Sequence, residues 1–174
     1  PEDYPRRFDE LPANFADDLH AKPEVQRAWR HTRNHNHMVG SIEPDDHATW
    51  LRGLDYYAFL HEELDVNLGR LLDELDVLGL ADDTLVVYTS DHGDACGSHG
   101  LRAKLPCVYE EVMGVPLMVR GPGVPAGTRT DALATHVDLA ATIAAVGGVA
   151  GDALDALSGE DLAPVLVDPT ATVR

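Results

Sequence analysis

Lysine is scarce in this chain of 174 residues, in which only Lys22 and Lys104 accompany 11 arginines. Acidic residues number 30, so the formal net charge is −17 at pH 7. A surface that binds nucleic acid needs clustered basic residues to neutralise phosphates, so the composition argues against a nucleic-acid partner. The acidic excess indicates either a solvated acidic surface or a salt-adapted protein that stays hydrated at high ionic strength.

Long apolar runs and an initiating methionine are also absent. No run approaches the roughly 18 apolar residues that a membrane-spanning helix needs, and the first residues include no signal-like apolar stretch. We therefore expect no membrane-spanning segment, and we expect the chain to be cut from a longer polypeptide. Localisation stays open, with the cytoplasm slightly preferred, and so does the oligomeric state.

Cysteine is limited to Cys96 and Cys107, and the sequence has no CxxC pair. Two cysteines do not make a disulfide framework. We predict that each is a small buried residue rather than a reactive thiol.

The first 46 residues are rich in proline and charge and show little periodicity, which predicts an irregular lead-in segment. A short helix is predicted from Glu24 to about Arg33. The polar, histidine-rich stretch 31–37 has no recognisable metal-ligand spacing, so it is predicted to be a loop. An alternative is that this loop carries its histidines into a cleft.

From residue 47 to residue 174 the pattern is that of an α/β domain. Apolar residues at steps of three and four predict one long amphipathic helix that Asp46 or its neighbour caps and Gly79 ends. Two short apolar runs, 84–89 and 115–119, read as strands buried on both faces. A helix follows from about Val137 to Val146. This order predicts an α/β sheet flanked by helices.

A candidate metal site follows the first of these strands. Ligands bind beyond the carboxyl ends of strands in open α/β sheets, and Asp91 and His92 stand there. A carboxylate beside an imidazole suits a divalent cation, provided that the backbone leaves β geometry, which Gly93 permits. The alternative is a capping aspartate with a surface histidine.

The glycine-rich loop that follows carries Asp94, Ser98, His99 and Lys104. Lys104 lies in an otherwise apolar stretch and could pair with one oxygen of a tetrahedral oxyanion as a compact charge. A solvated lysine is the alternative interpretation.

Several separated motifs, in this order, resemble the sulfatase family of the alkaline phosphatase superfamily. They are Tyr88-Thr-Ser-Asp-His-Gly-Asp94, Gly97-Ser-His-Gly-Leu101, Lys104, Tyr109-Glu-Glu111 and Val115-Pro-Leu-Met-Val-Arg-Gly-Pro-Gly123. The resemblance implies that the chain is part of an alkaline-phosphatase-like sheet flanked by helices. It implies a small-molecule sulfate or phosphate ester as substrate.

The resemblance also implies roles for single residues. Asp91 and His92 would bind a divalent cation, usually calcium, with magnesium or manganese in some members. Lys104 would bind the sulfate or phosphate group. His99 is placed beside it as a substrate-binding residue, with orientation of the loop as the alternative. His136 is a weaker metal candidate, because only other branches of the superfamily use a histidine near such a position.

The chain departs from the family pattern in two respects. It lacks the pair of aspartates that completes the metal site, and it lacks the Cys/Ser-x-Pro/Ala-x-Arg sequence that matures to formylglycine, since neither cysteine fits. We therefore expect a fragment with half of an active site, inactive alone, in which His35 or His37 could protonate the leaving alcohol. A phosphonate or phosphate ester hydrolase, and an inactive metal-binding or interaction module, remain the alternatives.

Overall fold

The computed structural model describes residues 3–36, 40–104 and 107–173. The chain forms two compact units. Unit 1 comprises residues 1–75 and 90–116, and unit 2 comprises residues 76–89 and 117–174. The predicted lead-in segment falls inside unit 1, and the division of the chain at residue 46 stays a prediction. No helix in the three described ranges has the length and apolarity that a membrane span requires.

The regular secondary structure of unit 1 is mainly helical. Its elements are helix α1 (Glu24–Asn34), the two-residue strands β1 (His35–Asn36) and β2 (Gly40–Ser41), the first 29 residues of helix α2 (His47–Val77), a 3₁₀ turn (Ser98–Gly100) and helix α3 (Glu110–Met113). The predicted long helix is confirmed. Asp46 caps it through a hydrogen bond from the Thr49 N–H to Oδ1 (3.2 Å), and Gly79 follows its end in the left-handed conformation (φ 67°).

The histidine-rich stretch is more ordered than predicted. The helix over 24–33 is confirmed, but the loop prediction is wrong for residues 31–36, since α1 continues to Asn34 and β1 pairs antiparallel with β2. Tertiary contacts extend the helix: the buried Asn34 side chain donates to the Gly100 carbonyl (2.9 Å), and the Arg102 guanidinium donates to the carbonyl of Arg33 (2.8 Å). His37 lies outside the described residues.

A buried carboxylate ties the beginning of the chain to α2. Asp55 is 1% exposed and accepts hydrogen bonds from the N–H groups of Arg7 (2.7 Å) and Phe8 (3.1 Å) and from the Arg52 guanidinium (2.9 Å). Burial alone would raise the pKa of Asp55, but these three donors outweigh burial and hold that pKa below its usual range. Ionised Asp55 therefore fastens the first residues to the helix.

We predict that Asp55 makes the chain sensitive to acid. A carboxyl whose pKa is lower in the folded state contributes stability above its unfolded pKa of about 4, and that contribution disappears as the pH falls through the folded value. Asp55→Asn is expected to lower the free energy of unfolding by about 2 kcal/mol at pH 7. Below about pH 4, the free energy of unfolding of this variant is expected to fall less steeply with pH than that of the unchanged chain. Urea denaturation from pH 7 to pH 3 measures both, with exposed Asp65→Asn as the control. An unchanged pH slope would contradict this prediction.

Unit 2 contains a two-stranded antiparallel sheet and three helices. Strands β3 (Val86–Thr89) and β4 (Leu117–Arg120) pair in register from Val86 opposite Arg120 to Thr89 opposite Leu117. The helices are α4 (His136–Val146), α5 (Asp152–Asp155) and α6 (Ala163–Val167), and a 3₁₀ turn spans Ala81–Asp83. The predicted strands and helix are confirmed to within two residues at each end.

The predicted burial of both strands is wrong for this chain. The residues of β3 are only partly buried, and Leu117 and Met118 of β4 are exposed. In the described part of the chain each strand has one paired neighbour, so its other edge and part of its faces stay open. The chain is a mixed helix–strand structure rather than a complete sheet covered by helices.

A second buried carboxylate holds unit 2 together. Asp138 in α4 is fully buried and accepts hydrogen bonds from the N–H of Thr135 (2.7 Å), the hydroxyl of Thr135 (2.9 Å) and the N–H of Glu160 (2.9 Å). The bonds cap α4 and hold the distant segment 158–162 beside it. Gly159 is required there, because a Cβ would lie 2.1 Å from the Val137 carbonyl oxygen.

We predict that Asp138→Ala destabilises unit 2 by about 3 kcal/mol, because three donors lose their hydrogen bonds to a fully buried carboxyl group. Hydrogen exchange of the α4 amides across a urea series measures the loss. The matched control is Asp155→Ala, which removes an exposed carboxylate at the end of α5. Equal stability of the two variants would contradict the prediction.

Candidate active site

The segment after β3 brings two potential ligands together. The hydroxyl of Ser90 donates to the His92 carbonyl (2.7 Å), and the His92 N–H donates to Asp91 Oδ1 (2.9 Å). These local bonds turn the backbone away from strand geometry. As a result, His92 Nε2 lies 3.4 Å from Asp91 Oδ2, although the two residues are adjacent in sequence.

The hydrogen bonds of His92 leave one ring nitrogen available. Its Nδ1 lies 2.8 Å from the Gly93 carbonyl oxygen, which can only accept, so Nδ1 carries the proton. In the neutral form of the ring Nε2 is then the nitrogen with a free lone pair, and it faces the Asp91 carboxylate. A metal-binding histidine commonly donates its other N–H to a backbone carbonyl in this way, which fixes the tautomer and the ring orientation.

The spacing of these two atoms fits a shared cation. Two donors each about 2.4 Å from one ion and at right angles to one another are about 3.4 Å apart, as are Asp91 Oδ2 and His92 Nε2. The Asp91 side chain is 82% exposed, so its carboxylate is open to an ion. Within the residues that the structure describes, no third histidine, cysteine or acidic side chain completes a metal cluster. The pair therefore offers two donor atoms to a cation, and the described residues add no third.

Gly93 holds the pair against helix α3. Its N–H donates to the Val112 carbonyl (2.8 Å). A Cβ at this position would lie 2.0 Å from the Glu111 carbonyl oxygen, and real Cβ atoms do not come so close. Glycine is needed here for this approach, in addition to the backbone freedom that the sequence indicated.

The loop from Asp94 to Lys104 closes on itself. Asp94 Oδ1 accepts hydrogen bonds from the N–H groups of Cys96 (2.8 Å) and Ala103 (2.9 Å), which joins the two ends of the loop. Lys104 follows directly and is exposed. Among the described residues it has no hydrogen-bond or ion-pair partner, so its ammonium group is available to an anion.

His99 has partners on both sides of its ring. Its Nδ1 lies 2.7 Å from Asp17 Oδ2, and its Nε2 lies 3.2 Å from the Asn14 amide nitrogen. The ring stacks on that of Tyr109, with centroids 4.1 Å apart. Both roles considered for His99, substrate binding and orientation of the loop, stay predictions, and the structure shows that both ring nitrogens contact protein side chains.

Two of the remaining histidine candidates, His35 and His136, lie among the described residues. His35 Nδ1 lies 2.8 Å from the Ser41 hydroxyl and 3.7 Å from Glu43 Oε1, and its role as a proton donor stays a prediction, as does that of His37. His136 begins α4 in unit 2. Burial, followed by the nearby charge of Asp94, raises the pKa of the Cys96 thiol to about 12, which makes it inert as a nucleophile.

A family model described as Sulfatase matches residues 1–149. The chain belongs to the sulfatase family. Over 166 residues, or 94% of the chain, it is 30% identical to the uncharacterized sulfatase YidJ of Escherichia coli K12, of which it covers 30%. The chain spans between 10% and 30% of the length of the first three curated relatives that it matches.

Solved structures share the fold of this chain. A putative sulfatase from Bacteroides thetaiotaomicron shares the fold with a TM-score of 0.78 at 24% identity, over 98% of this chain and 38% of that one. BT4656, solved in complex with its substrate D-glucosamine-2-N,6-O-disulfate, is 37% identical, with a TM-score of 0.57 over 63% of this chain and 22% of that one. The chain is thus a mixed helix–strand part of the sulfatase, alkaline-phosphatase-like fold.

The sequence did not indicate the residues that support this site. Asn14, Asp17 and Glu111 contact one another or His99 across separations of up to 97 residues. Of these three residues, only Glu111 lay in a motif that the sequence analysis used, Tyr109-Glu-Glu111, and no role was assigned to it there.

Proposed function

We propose that this chain supplies the strand-end half of the active site of a metal-dependent sulfatase that hydrolyses sulfate monoesters. The observation that carries the proposal is the geometry of Asp91 and His92 in a chain of the sulfatase family. The exposed carboxylate and the imidazole Nε2 face each other at 3.4 Å, and a backbone carbonyl fixes the ring orientation through Nδ1.

In this proposal Asp91 and His92 hold a divalent cation, Ca²⁺ by preference, with Mg²⁺ or Mn²⁺ as the alternatives. Carboxylate oxygen is a preferred ligand of such hard ions. When bound, the cation supplies charge stabilisation to the ester oxygens and to the ionised nucleophile. The other ligands and the formylglycine nucleophile would come from residues that this chain does not contain.

Lys104 is proposed to bind the sulfate group. Its ammonium group is exposed and unpaired among the described residues, and it follows a loop end that Asp94 holds through the Ala103 N–H. A compact positive charge at this place stabilises the negative charge on the transferred group.

A sulfated sugar is the substrate class that we propose. The relative BT4656 was solved with a glucosamine disulfate as its substrate. The described pair would serve a phosphate ester equally well, because both anions are tetrahedral. No observation in this chain favours the phosphate alternative.

Replacement of Lys104 tests the proposal. In the complete protein, Lys104→Ala is expected to lower kcat/KM for an aryl sulfate by about a hundredfold, because one stabilising charge is lost at the transferred group. Arg129→Ala is the matched control, since it removes one exposed positive charge from the chain. Equal kcat/KM values for Lys104→Ala, Arg129→Ala and the unchanged protein would contradict the role of Lys104.

A further inference from the structure

We propose that His99 is a positioning residue that fixes helix α3 against Gly93 and thereby holds the Asp91–His92 pair in place. The inference rests on the proposed function, in which that pair binds the cation. It gives a positioning role to His99, whose two ring nitrogens both contact protein side chains.

The first step is the attachment of His99 to the lead-in segment. The Nδ1–H donates to Asp17 and Nε2 accepts from the Asn14 amide, which is the hydrogen-bonding pattern of one neutral tautomer. The His99 N–H also donates to the Asn14 carbonyl (3.2 Å), and the Arg30 guanidinium donates to the His99 carbonyl (3.4 Å). His99 is held in a left-handed conformation (φ 58°), which is uncommon for a residue other than glycine.

The second step joins His99 to α3. The second hydrogen of the Asn14 amide goes to Glu111 Oε1 (3.0 Å), and Tyr109, directly before α3, stacks on the His99 ring. The Glu111 N–H, followed by Asn14 and Ser98, holds the pKa of Glu111 below its usual range, so this acceptor stays ionised. A helix of four residues has little stability of its own, and these contacts hold it.

The third step joins α3 to the metal pair. The Gly93 N–H bonds to Val112, and the Gly93 Cα lies against the Glu111 carbonyl. The Gly93 carbonyl in turn accepts the Nδ1–H of His92. A continuous series of contacts therefore leads from the His99 ring through α3 to the imidazole that is proposed to bind the cation.

Hydrogen exchange of this chain tests the proposal without any enzymatic activity. In His99→Ala, the Gly93 amide is expected to exchange about 10 to 100 times faster, while the amides of the β3–β4 pair keep their rates. Asparagine tolerates positive φ and retains a donor, so the Gly93 exchange rate in His99→Asn is expected to lie between those of the unchanged chain and His99→Ala. His20→Ala, which removes an exposed histidine, is the control.

Two outcomes would overturn the proposal: an unchanged Gly93 rate in folded His99→Ala, or an equal acceleration of all amides, which marks a purely structural role. If His99→Ala does not fold, Asn14→Ala tests the same contacts at a residue with ordinary backbone angles. It removes the bonds to both His99 and Glu111, and an unchanged Gly93 rate in it would equally overturn the proposal.

Nitrogen NMR of the His92 ring separates this inference from the proposed function. The unchanged chain is expected to show the Nδ1–H tautomer and a response of Nε2 to added CaCl₂, with a midpoint about tenfold higher in His99→Ala. No response of the unchanged chain to Ca²⁺ would contradict the metal-binding part of the proposed function. The Gly93 exchange rates would still decide the positioning role.

Discussion

Asp91→Ala is expected to lower the hydrolysis of an aryl sulfate by the complete protein by at least about a thousandfold in kcat/KM. The carboxylate supplies one of the two proposed cation ligands in this chain, and its loss removes both metal affinity and the charge stabilisation that the metal supplies. Asp91→Asn keeps the shape of the side chain and loses its charge, so its kcat/KM is expected to lie between those of the unchanged protein and Asp91→Ala. Initial rates at several Ca²⁺ concentrations measure the effect.

The control for Asp91 is Asp82→Ala, which removes an exposed carboxylate from the 3₁₀ turn before β3. It changes the net charge by the same amount, so a difference between the two variants reports the position of the carboxylate. Equal activity in both variants would exclude Asp91 from the metal site.

Gly93→Ala is expected to be the most damaging single methyl addition in the chain segment that carries the site. Its Cβ would lie 2.0 Å from the Glu111 carbonyl oxygen, so α3 and the strand-end pair must separate. We expect a loss of about 3 kcal/mol or more in unfolding free energy, together with loss of the Gly93–Val112 hydrogen bond. Urea denaturation and hydrogen exchange measure the two effects.

Gly69→Ala provides the matched control, because Gly69 lies within α2 and a Cβ there meets no described atom within 4 Å. Alanine favours a helix interior over glycine by up to about 1 kcal/mol, so this variant is expected to be slightly more stable. If Gly93→Ala were as stable as Gly69→Ala, the close contact between Gly93 and α3 would be wrong.

The sequence predicted the helices and strands that are marked by the pattern of neighbouring residues. Helix α2 has a long apolar periodicity, an aspartate cap and a terminal glycine, and it was located to within about one residue. Strands β3 and β4 were recognised from short apolar runs. The strand-end position of Asp91 and His92 followed from the first of these strands, and the structure brings their side chains together.

The sequence did not predict features that depend on distant backbone groups. Asp55 and Asp138 are buried carboxylates whose donors include N–H groups 47, 48 and 22 residues away. No periodicity marks them, since any residue other than proline supplies an N–H. The side-chain partners of the His99 ring, Asp17 and Asn14, were not predicted because they lie 82 and 85 residues away in sequence. The first residues of the histidine-rich stretch are helical because Asn34 and Arg33 form hydrogen bonds with Gly100 and Arg102. The composition of the stretch itself does not indicate these contacts.

The most direct test of the central claim compares two esters. We predict that the complete protein hydrolyses 4-nitrophenyl sulfate faster than 4-nitrophenyl phosphate, that EDTA abolishes the sulfate reaction, and that added Ca²⁺ restores it in the unchanged protein but not in Asp91→Ala. A faster reaction with the phosphate ester, or hydrolysis of the sulfate ester that EDTA leaves unchanged, would contradict a metal-dependent sulfatase site at Asp91 and His92.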